Sequence, residues 1–334
     1  MVAAVVDVSD TDELYPLVVV VGPTASGKTA LALELAEQFN GEIVSCDAVA
    51  VYRGLDVGSA KPSVSERARV PHHAIDMLDP DEPSTAGDYA RAARRALTDI
   101  KERGRLPIVT GGTGFYLRAL LEGLAPAPPR DEELRGRLRE IVQRQGSAYL
   151  HGLLANLDAS AAQGIHANDV PKVIRSIEVT LAACQPQSEQ WRAGRDALRG
   201  FDVLQLGLNP PRAKLYARIN DRAEKMFSDG LIEETEAARR RFGDACRALG
   251  SLGYAQAASL LRGEMTRADA IAAAQQGHRN YAKRQMTWFR RDPNIEWLAG
   301  FGEDTGVQSR MRELVANHLE SMGCSSRNAS SRNT

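Results

Sequence analysis

Short apolar runs bounded by glycine or proline predict buried strands in the first part of the chain. Residues 17–21 form an aliphatic run that stops at Gly22, and residues 42–45 and 107–110 are comparable runs. Between the first two, apolar side chains recur at helical spacing over residues 28–39. Strands that alternate with helices predict an α/β fold, with a parallel sheet flanked by helices.

The pattern changes after residue 123, which predicts a second domain. Residues 125–129 (APAPP) break regular structure, and residues 130–198 show helical spacing without a convincing strand. Residues 202–208 (DVLQLGL) predict a return to the sheet, and residues 212–291 are again helical. We therefore expect a core of residues 1–123 and 201–320, an all-helical insertion at 124–200, and a disordered tail at 321–334.

Composition and charge narrow the class of protein. The chain is 43% hydrophobic and 25% charged, as in soluble globular enzymes, and its net charge of −1 gives no overall attraction to nucleic acid. The four cysteines lack metal-ligand spacing, which favours free thiols in a reducing compartment. No signal peptide or membrane-spanning run is evident, so we expect a cytoplasmic protein with no membrane partner.

A glycine-rich motif between the first predicted strand and helix points to phosphate binding. It matches G-x-x-x-x-G-K-[ST] and consists of Gly22, Pro23, Thr24, Ala25, Ser26, Gly27, Lys28 and Thr29. Backbone N–H groups and the helix N-terminus can bind phosphate oxygens, Lys28 can neutralise them, and the Thr29 hydroxyl suits Mg²⁺. The flanking elements argue against a chance glycine-rich turn. The motif alone leaves open an ATPase, a GTPase, a small-molecule kinase or an enzyme that releases pyrophosphate.

Asp47 follows the second predicted strand, at the sheet edge where α/β proteins bind ligands. Three readings stay open: a residue that caps the next turn, a base that activates a hydroxyl in a kinase, and a proton acceptor for an amine in an alkyl transferase. The turn at residues 108–113 repeats the strand-to-glycine pattern and can face the same ligand. His72 and His73 are expected to pack in a loop, because no third metal ligand is evident.

Several motifs together resemble one family, the tRNA dimethylallyltransferases. They are GPTASGKT (22–29), SCDAVAVYRGLDVGSAKP (45–62), PHHAIDMLDP (71–80), GRLPIVTGGTGFYLRALLEG (104–123), ANDVPKVIRSIEV (167–179), ARINDRAEKMFSDGLIEE (217–234), LGSLGYAQ (249–256) and HRNYAKRQMTWFRR (278–291). The resemblance covers residues 17–298.

The resemblance implies a reaction and its partners. The family transfers the dimethylallyl group of dimethylallyl diphosphate to N6 of the adenosine 3′ of the anticodon, in tRNAs that read codons beginning with U. It uses Mg²⁺ and releases pyrophosphate. By motif, Asp47 resembles the general base, and Thr24 and Arg222 match residues that steady the leaving diphosphate. The implied partners are dimethylallyl diphosphate and a tRNA anticodon stem-loop, and a monomer is expected.

The resemblance also implies a set of tRNA contacts. These are Asp47, Ala48, Val49, Ala50, Thr113, Arg135, Pro171, Lys172, Val173, Ile174, Arg175, Gly253, Tyr254, Arg279, Lys283, Arg284, Gln285 and Arg290. For any one arginine of residues 130–144, a solvated helix face is an equally weighted reading.

Residues 278–291 give the stronger indication of RNA binding. Arg279, Lys283 and Arg290 share one helical stripe, which suits a phosphate backbone. The apolar residues of this segment and the turns before it are expected to face the core: Ile271, Ala274, Tyr281 and Trp288.

Three departures from the family pattern are visible. The family often has Asp-Ser-x-Gln where this chain has Asp47-Ala48-Val49-Ala50, and Arg or Lys where this chain has Ala255. The tail lacks the Cys/His spacing of the zinc finger in eukaryotic members, which implies a bacterial-type enzyme.

Three rival functions share part of the pattern. A small-molecule kinase would share the loop but would not account for the helical insertion or the basic helix. An enzyme that prenylates free adenine nucleotides would not need the insertion. A non-catalytic RNA-binding protein would not need Asp47, Thr24 and Arg222 together.

Overall fold

The protein, described by a computed structural model over residues 14–192 and 194–323, contains a six-stranded sheet. All pairings are parallel, in the order β3-β2-β4-β1-β5-β6. The strands are β1 Tyr15–Val21, β2 Gly41–Cys46, β3 His72–His73, β4 Leu106–Gly111, β5 Phe201–Leu208 and β6 Ile295–Leu298. The predicted α/β fold is therefore confirmed.

Helices connect and cover the strands. They are α1 Lys28–Gln38, α2 Val64–Arg69, α3 Ala86–Glu102, α4 Gly114–Leu121, α5 Glu132–Gln145, α6 Ser147–Leu157, α7 Ala159–Gly164, α8 Val170–Ala183, α9 Gln187–Arg192, α10 Arg212–Ser228, α11 Leu231–Phe242, α12 Tyr254–Leu261, α13 Arg267–Phe289 and α14 Thr305–Ser321. Several begin at a side-chain cap: the hydroxyl of Thr85, for example, accepts the backbone N–H of Asp88 at the start of α3.

The sheet is held by aliphatic side chains on both faces. Residues 17–20 of β1 are fully buried, as expected for a central parallel strand, and α1 and α14 contribute to one shared core cluster. Val18 pairs with Ile108 on one side and with Leu204 on the other. Burying each such aliphatic side chain contributes about 1.5–3 kcal/mol.

The register of the sheet brings three strand ends to one edge. Gly111 of β4 pairs with Val21 of β1 and with Cys46 of β2. The residues that follow these strands therefore begin side by side at the carboxyl edge, where the candidate ligand-binding residues lie.

The described chain separates into two compact units. One contains the residues up to Leu120 and those from Leu198 onward, and it carries the sheet. The other, Leu121–Ala197, contains helices joined by loops in its described part. It has its own apolar core, which includes Leu150, Leu154 and Val173. The sequence predicts the helical insertion at residues 124–200, which overlaps this unit.

Two short strands and the tail differ from the predictions or lie outside them. β3 and β6 were not predicted, since two or four residues are too few to show a strand pattern. Of the predicted tail, Ser321 ends α14, and residues 324–334 lie outside the described part of the chain. Within that part, every helix is too short or too polar to cross a membrane.

Candidate active site

The phosphate-binding motif forms a tight loop between β1 and α1. The backbone of Ala25 is left-handed (φ 63°), a conformation that costs about 1 kcal/mol or more for a residue with a side chain. The ammonium of Lys28 donates to the backbone oxygen of Pro23 (2.7 Å), and the N–H of Ser26 donates to the same oxygen (3.3 Å). The loop therefore closes on itself around the lysine.

A cavity of ≈ 110 Å³ lies against this loop. The side chains with the chemistry predicted from the sequence meet in its wall: Thr24, Lys28, Thr29, Asp47 and Arg222. They come from four separate places in the chain: the loop, the start of α1, the end of β2 and the middle of α10. The fold thus gathers the predicted loop, general base and distant arginine around one space.

Of the cations in this wall, Lys61 is paired with acids, whereas Lys28 and Arg222 have no carboxylate partner among the described residues. Within residues 14–192 and 194–323, no Asp or Glu oxygen lies within 4.0 Å of the charged nitrogens of Lys28 or Arg222. Burial lowers the pKa of Lys28 to about 7, and the neighbouring Arg222 adds to this, while Asp47 opposes it. Burial likewise lowers the pKa of Arg222, again opposed by Asp47. Buried positive charges without partners are unfavourable unless an anion binds there.

Asp47 is held by its own turn. Its Oδ1 accepts the backbone N–H groups of Val49 (2.8 Å) and Ala50 (3.1 Å). Within the described residues, no donor is bonded to Oδ2. The capping interpretation is therefore correct for one oxygen, and the same cap orients the carboxylate beside the cavity.

Thr113 connects this turn to the end of β4. Its hydroxyl accepts the backbone N–H of Ala48 (3.1 Å), and its own backbone N–H donates to Cys46 (3.2 Å). The Asp47 turn and the glycine turn after β4 therefore form one connected wall.

Some predicted tRNA contacts are exposed and basic. On α13 and directly after it, Lys283, Arg284 and Arg290 face solvent. Arg279 of the same helix is half-buried and donates to the side-chain oxygens of Asn220 and Gln276. In the helical unit, Pro171 and Lys172 are exposed at the start of α8, where Lys172 pairs with Asp169.

Other side chains predicted to contact tRNA are buried in the free protein. Val173 and Ile174 belong to the core of the helical unit, and Ala50 and Gln285 are covered in the core that carries the sheet. The resemblance places them in segments expected to bind RNA, but one side of a helix faces inward about every 3.6 residues, and Ala50 lies in a turn after β2. Their side chains therefore pack in the protein interior, and RNA contact stays a prediction for their exposed neighbours.

Tyr254 is also fully buried, next to Gly253, and has a structural role instead. Its hydroxyl donates to Glu234 (2.5 Å), whose carboxylate also accepts the backbone N–H groups of Asp56, Val57 and Gly58. Burial and the adjacent Glu234 raise the pKa of Tyr254 well above its usual value. The pair thereby fixes the segment that leads to the cavity.

Lys61 lies at the end of that segment and was not singled out from the sequence. Its side chain is 1% exposed, lines the cavity, and binds Asp56 (2.7 Å), Asp76 (2.6 Å) and the backbone oxygen of Tyr52 (2.6 Å). The sequence offered little signal for this residue, because its pairing with Asp76, fifteen residues along the chain, is seen only in the folded protein.

The arginines of the helical unit differ from those of the cavity. Arg135 and Arg175 both pair with Glu178, whose side chain is 0% exposed, and Arg175 also donates to the backbone oxygen of Pro128. Arg137 pairs with Glu133 on the same helix. Arg137 therefore lies on a solvated helix face, whereas Arg135 and Arg175 form ion pairs with a buried glutamate.

Trp288 was predicted to face the core from α13, and this prediction is wrong. It is 38% exposed and packs edge-on against Phe115, with ring centroids 6.4 Å apart, whereas Ala274 is buried as expected. Trp288 lies in the last turn of the helix, and Phe115 is itself exposed, so helical spacing alone did not determine burial there.

The two histidines form a short strand at the sheet edge instead of a loop. His73 binds Glu42 (2.6 Å) and His72 binds the backbone oxygen of Val70 (2.8 Å). In the part of the chain that the structure describes, no three His, Cys, Asp or Glu side chains cluster as metal ligands.

Comparison with known proteins identifies the family. The profile of the IPP transferase family matches residues 50–292, and that of the isopentenyl transferases matches residues 15–72. The chain is 57% identical to the tRNA dimethylallyltransferase of Koribacter versatilis (strain Ellin345), over 90% of this chain and 97% of the relative. It is 50% identical to that of Solibacter usitatus (strain Ellin6076), over 91% and 99%.

Solved structures agree with the sequence relatives. The tRNA isopentenylpyrophosphate transferase of Bacillus halodurans is similar with a TM-score of 0.68 at 36% identity, over 92% of this chain and 98% of that one. A eukaryotic dimethylallyltransferase acting on tRNA shares the fold, with a TM-score of 0.77 at 24% identity, over 92% and 80%. The chain therefore belongs to the tRNA dimethylallyltransferase family.

Proposed function

We propose that this protein transfers the dimethylallyl group of dimethylallyl diphosphate to N6 of the adenosine 3′ of the anticodon, in tRNAs that read codons beginning with U. The observation that carries the proposal is the wall of the cavity. There, Lys28 and Arg222 lack acidic partners and Asp47 stands beside them. The proposal includes a monomeric enzyme in the cytoplasm, as expected from the sequence.

The cations account for activation of the leaving group. As the allylic C–O bond breaks, negative charge grows on the departing pyrophosphate, and fixed positive groups aimed at that charge lower the barrier. Lys28 and Arg222 supply this charge, and Thr24 lines the same wall. Because these groups are already positioned in the free protein, little reorganisation is needed during the reaction.

Asp47 accounts for the fate of the amine proton. The N6 amine forms the new C–N bond as the C–O bond breaks. Its proton passes to Oδ2 of Asp47, the carboxylate oxygen that accepts no hydrogen bond within the described residues. Pyrophosphate leaves with the bonding electrons of the C–O bond, so atoms and charge balance.

The cavity also suits Mg²⁺. This ion prefers oxygen ligands, retains several waters and binds through a few protein oxygens together with substrate phosphates. Thr29 and Asp47, which carry a hydroxyl and a carboxylate, line the same space, so the oxygen ligands that Mg²⁺ prefers are available there. When bound, Mg²⁺ would neutralise charge on the diphosphate, and Thr29 is the residue that we propose to hold it.

The adenine must leave the stacked anticodon loop to reach Asp47. The exposed basic residues of α13, Lys283 and Arg284, provide phosphate-backbone contacts, and Lys172 provides one from the helical unit. These contacts are sequence-independent, and they position the stem-loop while the cavity receives the base.

Incubation with labelled dimethylallyl diphosphate and unmodified tRNA tests the proposal. We expect label in tRNA, and nuclease digestion should place it on the adenosine 3′ of the anticodon. Label on AMP instead of tRNA, or ATP hydrolysis without prenyl transfer, would contradict the proposal.

Asp47→Ala tests the assigned base. We expect single-turnover prenylation to slow by about 10²–10⁴-fold, the usual effect of losing a general base, while tRNA binding persists. Asp99→Ala, at an exposed acid on α3, is the matched control and should keep full activity. Unchanged turnover of Asp47→Ala would remove this residue from its role.

A further inference from the structure

Gln285 occupies an unusual place on the basic helix. It follows the exposed Arg284 on α13, yet it is only 5% exposed and lines the cavity beside the phosphate-binding loop. A buried amide side chain requires hydrogen-bond partners, so its contacts show what it does.

Both ends of the Gln285 amide are bonded to the walls of the cavity. The backbone N–H of Thr24 donates to Oε1 (2.8 Å), and Nε2 donates to the backbone oxygen of Gly112 (2.9 Å). One side chain therefore joins the loop after β1, the turn after β4 and α13. An added Cβ at Gly112 would lie 1.9 Å from Nε2, so this approach requires glycine at that position.

We propose that Gln285 is a positioning residue for the diphosphate donor and does not contact tRNA. This inference rests on the proposed function. By holding the backbone of Thr24, Gln285 keeps the phosphate-binding loop in the conformation that presents Thr24 and Lys28 to the donor. Each amide atom already has a partner within the protein, and the side chain is covered, so the amide is committed to the donor loop and not to the RNA surface of α13.

A second consequence concerns α13 itself. The exposed side of this helix carries Lys283 and Arg284, and its buried side holds the donor loop through Gln285. The same rigid element thus fixes the surface for RNA and the conformation of the donor site, so that the two substrates are aligned through one helix.

Pyrophosphate binding in the presence of Mg²⁺ and without tRNA, measured by calorimetry, tests the proposal independently of prenyl transfer. In Gln285→Met, a side chain of similar length without amide donors or acceptors, we expect about tenfold weaker pyrophosphate binding, since two buried hydrogen bonds are lost. The KM for dimethylallyl diphosphate should rise about as much. The tRNA affinity should change less than twofold.

Arg284→Ala is the matched comparison from the adjacent position. It should weaken tRNA binding several-fold and leave pyrophosphate binding unchanged. If Gln285→Met weakens tRNA and keeps pyrophosphate binding, Gln285 contacts RNA and the proposal is overturned. Equal loss of both affinities, or loss of neither, also overturns it.

Gln285→Glu provides a test even if the Met variant does not fold. An ionised Glu can accept from Thr24 but cannot donate to Gly112, whereas a protonated Glu can do both. The ratio of its pyrophosphate affinity to that of the wild type should therefore rise as pH falls. A ratio independent of pH would contradict the positioning role. If prenyl transfer to tRNA fails while these binding results hold, only the proposed function is wrong.

Discussion

Two regions of this protein contain half-buried arginine side chains, and they differ in whether an acidic side chain neutralises the positive charge. In the helical unit, Arg135 and Arg175 both pair with the fully buried Glu178. In the cavity at the sheet edge, Arg222 and Lys28 lie together with no acidic partner within ion-pair distance in the described chain. The first arrangement is complete in the free protein, whereas the second lacks a counter-charge, which we propose an anionic ligand supplies.

Residue type alone does not distinguish the arginines proposed to bind substrate from those that stabilise the fold. Arg175 and Arg222 lie in motifs that resemble the family, and the resemblance also implied a tRNA contact for Arg135, so arginines of both regions were given functional roles. The presence or absence of a carboxylate partner divides them, because a satisfied ion pair stabilises the fold and an unsatisfied cation attracts substrate.

Among the substitutions that test this comparison, removing the unpaired arginine should have the largest effect. In Arg222→Ala we expect the single-turnover rate constant to fall by about 10²–10³-fold, because a fixed positive group opposite the leaving pyrophosphate is lost. The unfolding temperature should stay unchanged or rise, since a buried cation without a partner is removed.

Arg137→Ala is the control for this prediction, because Arg137 is exposed and paired with Glu133. It should keep full activity. A large loss of stability in Arg222→Ala, with catalysis preserved, would show that this arginine is structural after all.

Breaking the internal pair of the helical unit should affect stability instead. Glu178→Gln leaves Arg135 and Arg175 without a counter-charge, and we expect a loss of about 3 kcal/mol in the free energy of unfolding. Denaturant unfolding followed by circular dichroism measures it. Pyrophosphate binding should be unaffected.

Glu133→Gln breaks an exposed pair on the same unit and should cost less than about 0.5 kcal/mol. Equal effects of the two substitutions would mean that the burial of Glu178 does not distinguish the pairs.

The smallest expected effect concerns pH. Because the pKa of Lys28 in the free protein is lowered to about 7, this lysine loses its charge as pH rises through 7. An anion favours the charged form, so pyrophosphate binding should take up a proton above pH 7 and weaken by up to about tenfold per pH unit. Calorimetry in buffers of different ionisation enthalpy measures the proton uptake.

Lys28→Arg corrects for the titration of pyrophosphate itself, because a guanidinium stays charged throughout this range. The wild-type affinity should fall relative to this variant as pH rises from 7 to 9. Parallel curves would show that Lys28 keeps its charge in the free protein.

The fold could be predicted wherever its determinants are local in sequence. The aliphatic runs of β1, β2, β4 and β5 and the phosphate-binding motif are contiguous, so their patterns were visible. The short β6 carries too few residues for a pattern, and its place depends on pairing with β5.

The candidate site was predictable only in part, for the same reason. Asp47 could be placed because the end of a strand locates it. The roles of Gln285 and Tyr254 depend on partners far away in sequence, Thr24 and Glu234, and only the folded chain reveals them. The exposure of Trp288 likewise depends on what surrounds the end of α13, which helical periodicity does not specify.

The pairing of β1 with β5 sets the order in which this protein can fold during synthesis. Tyr15 pairs with Phe201, across the whole helical unit, so the central strand gains one of its neighbours only after that unit has been made. The helical unit, with its own core, can fold while the sheet is incomplete. Because each doubling of a loop adds only about 0.6 kcal/mol of closure entropy, the central pairing tolerates this large intervening segment.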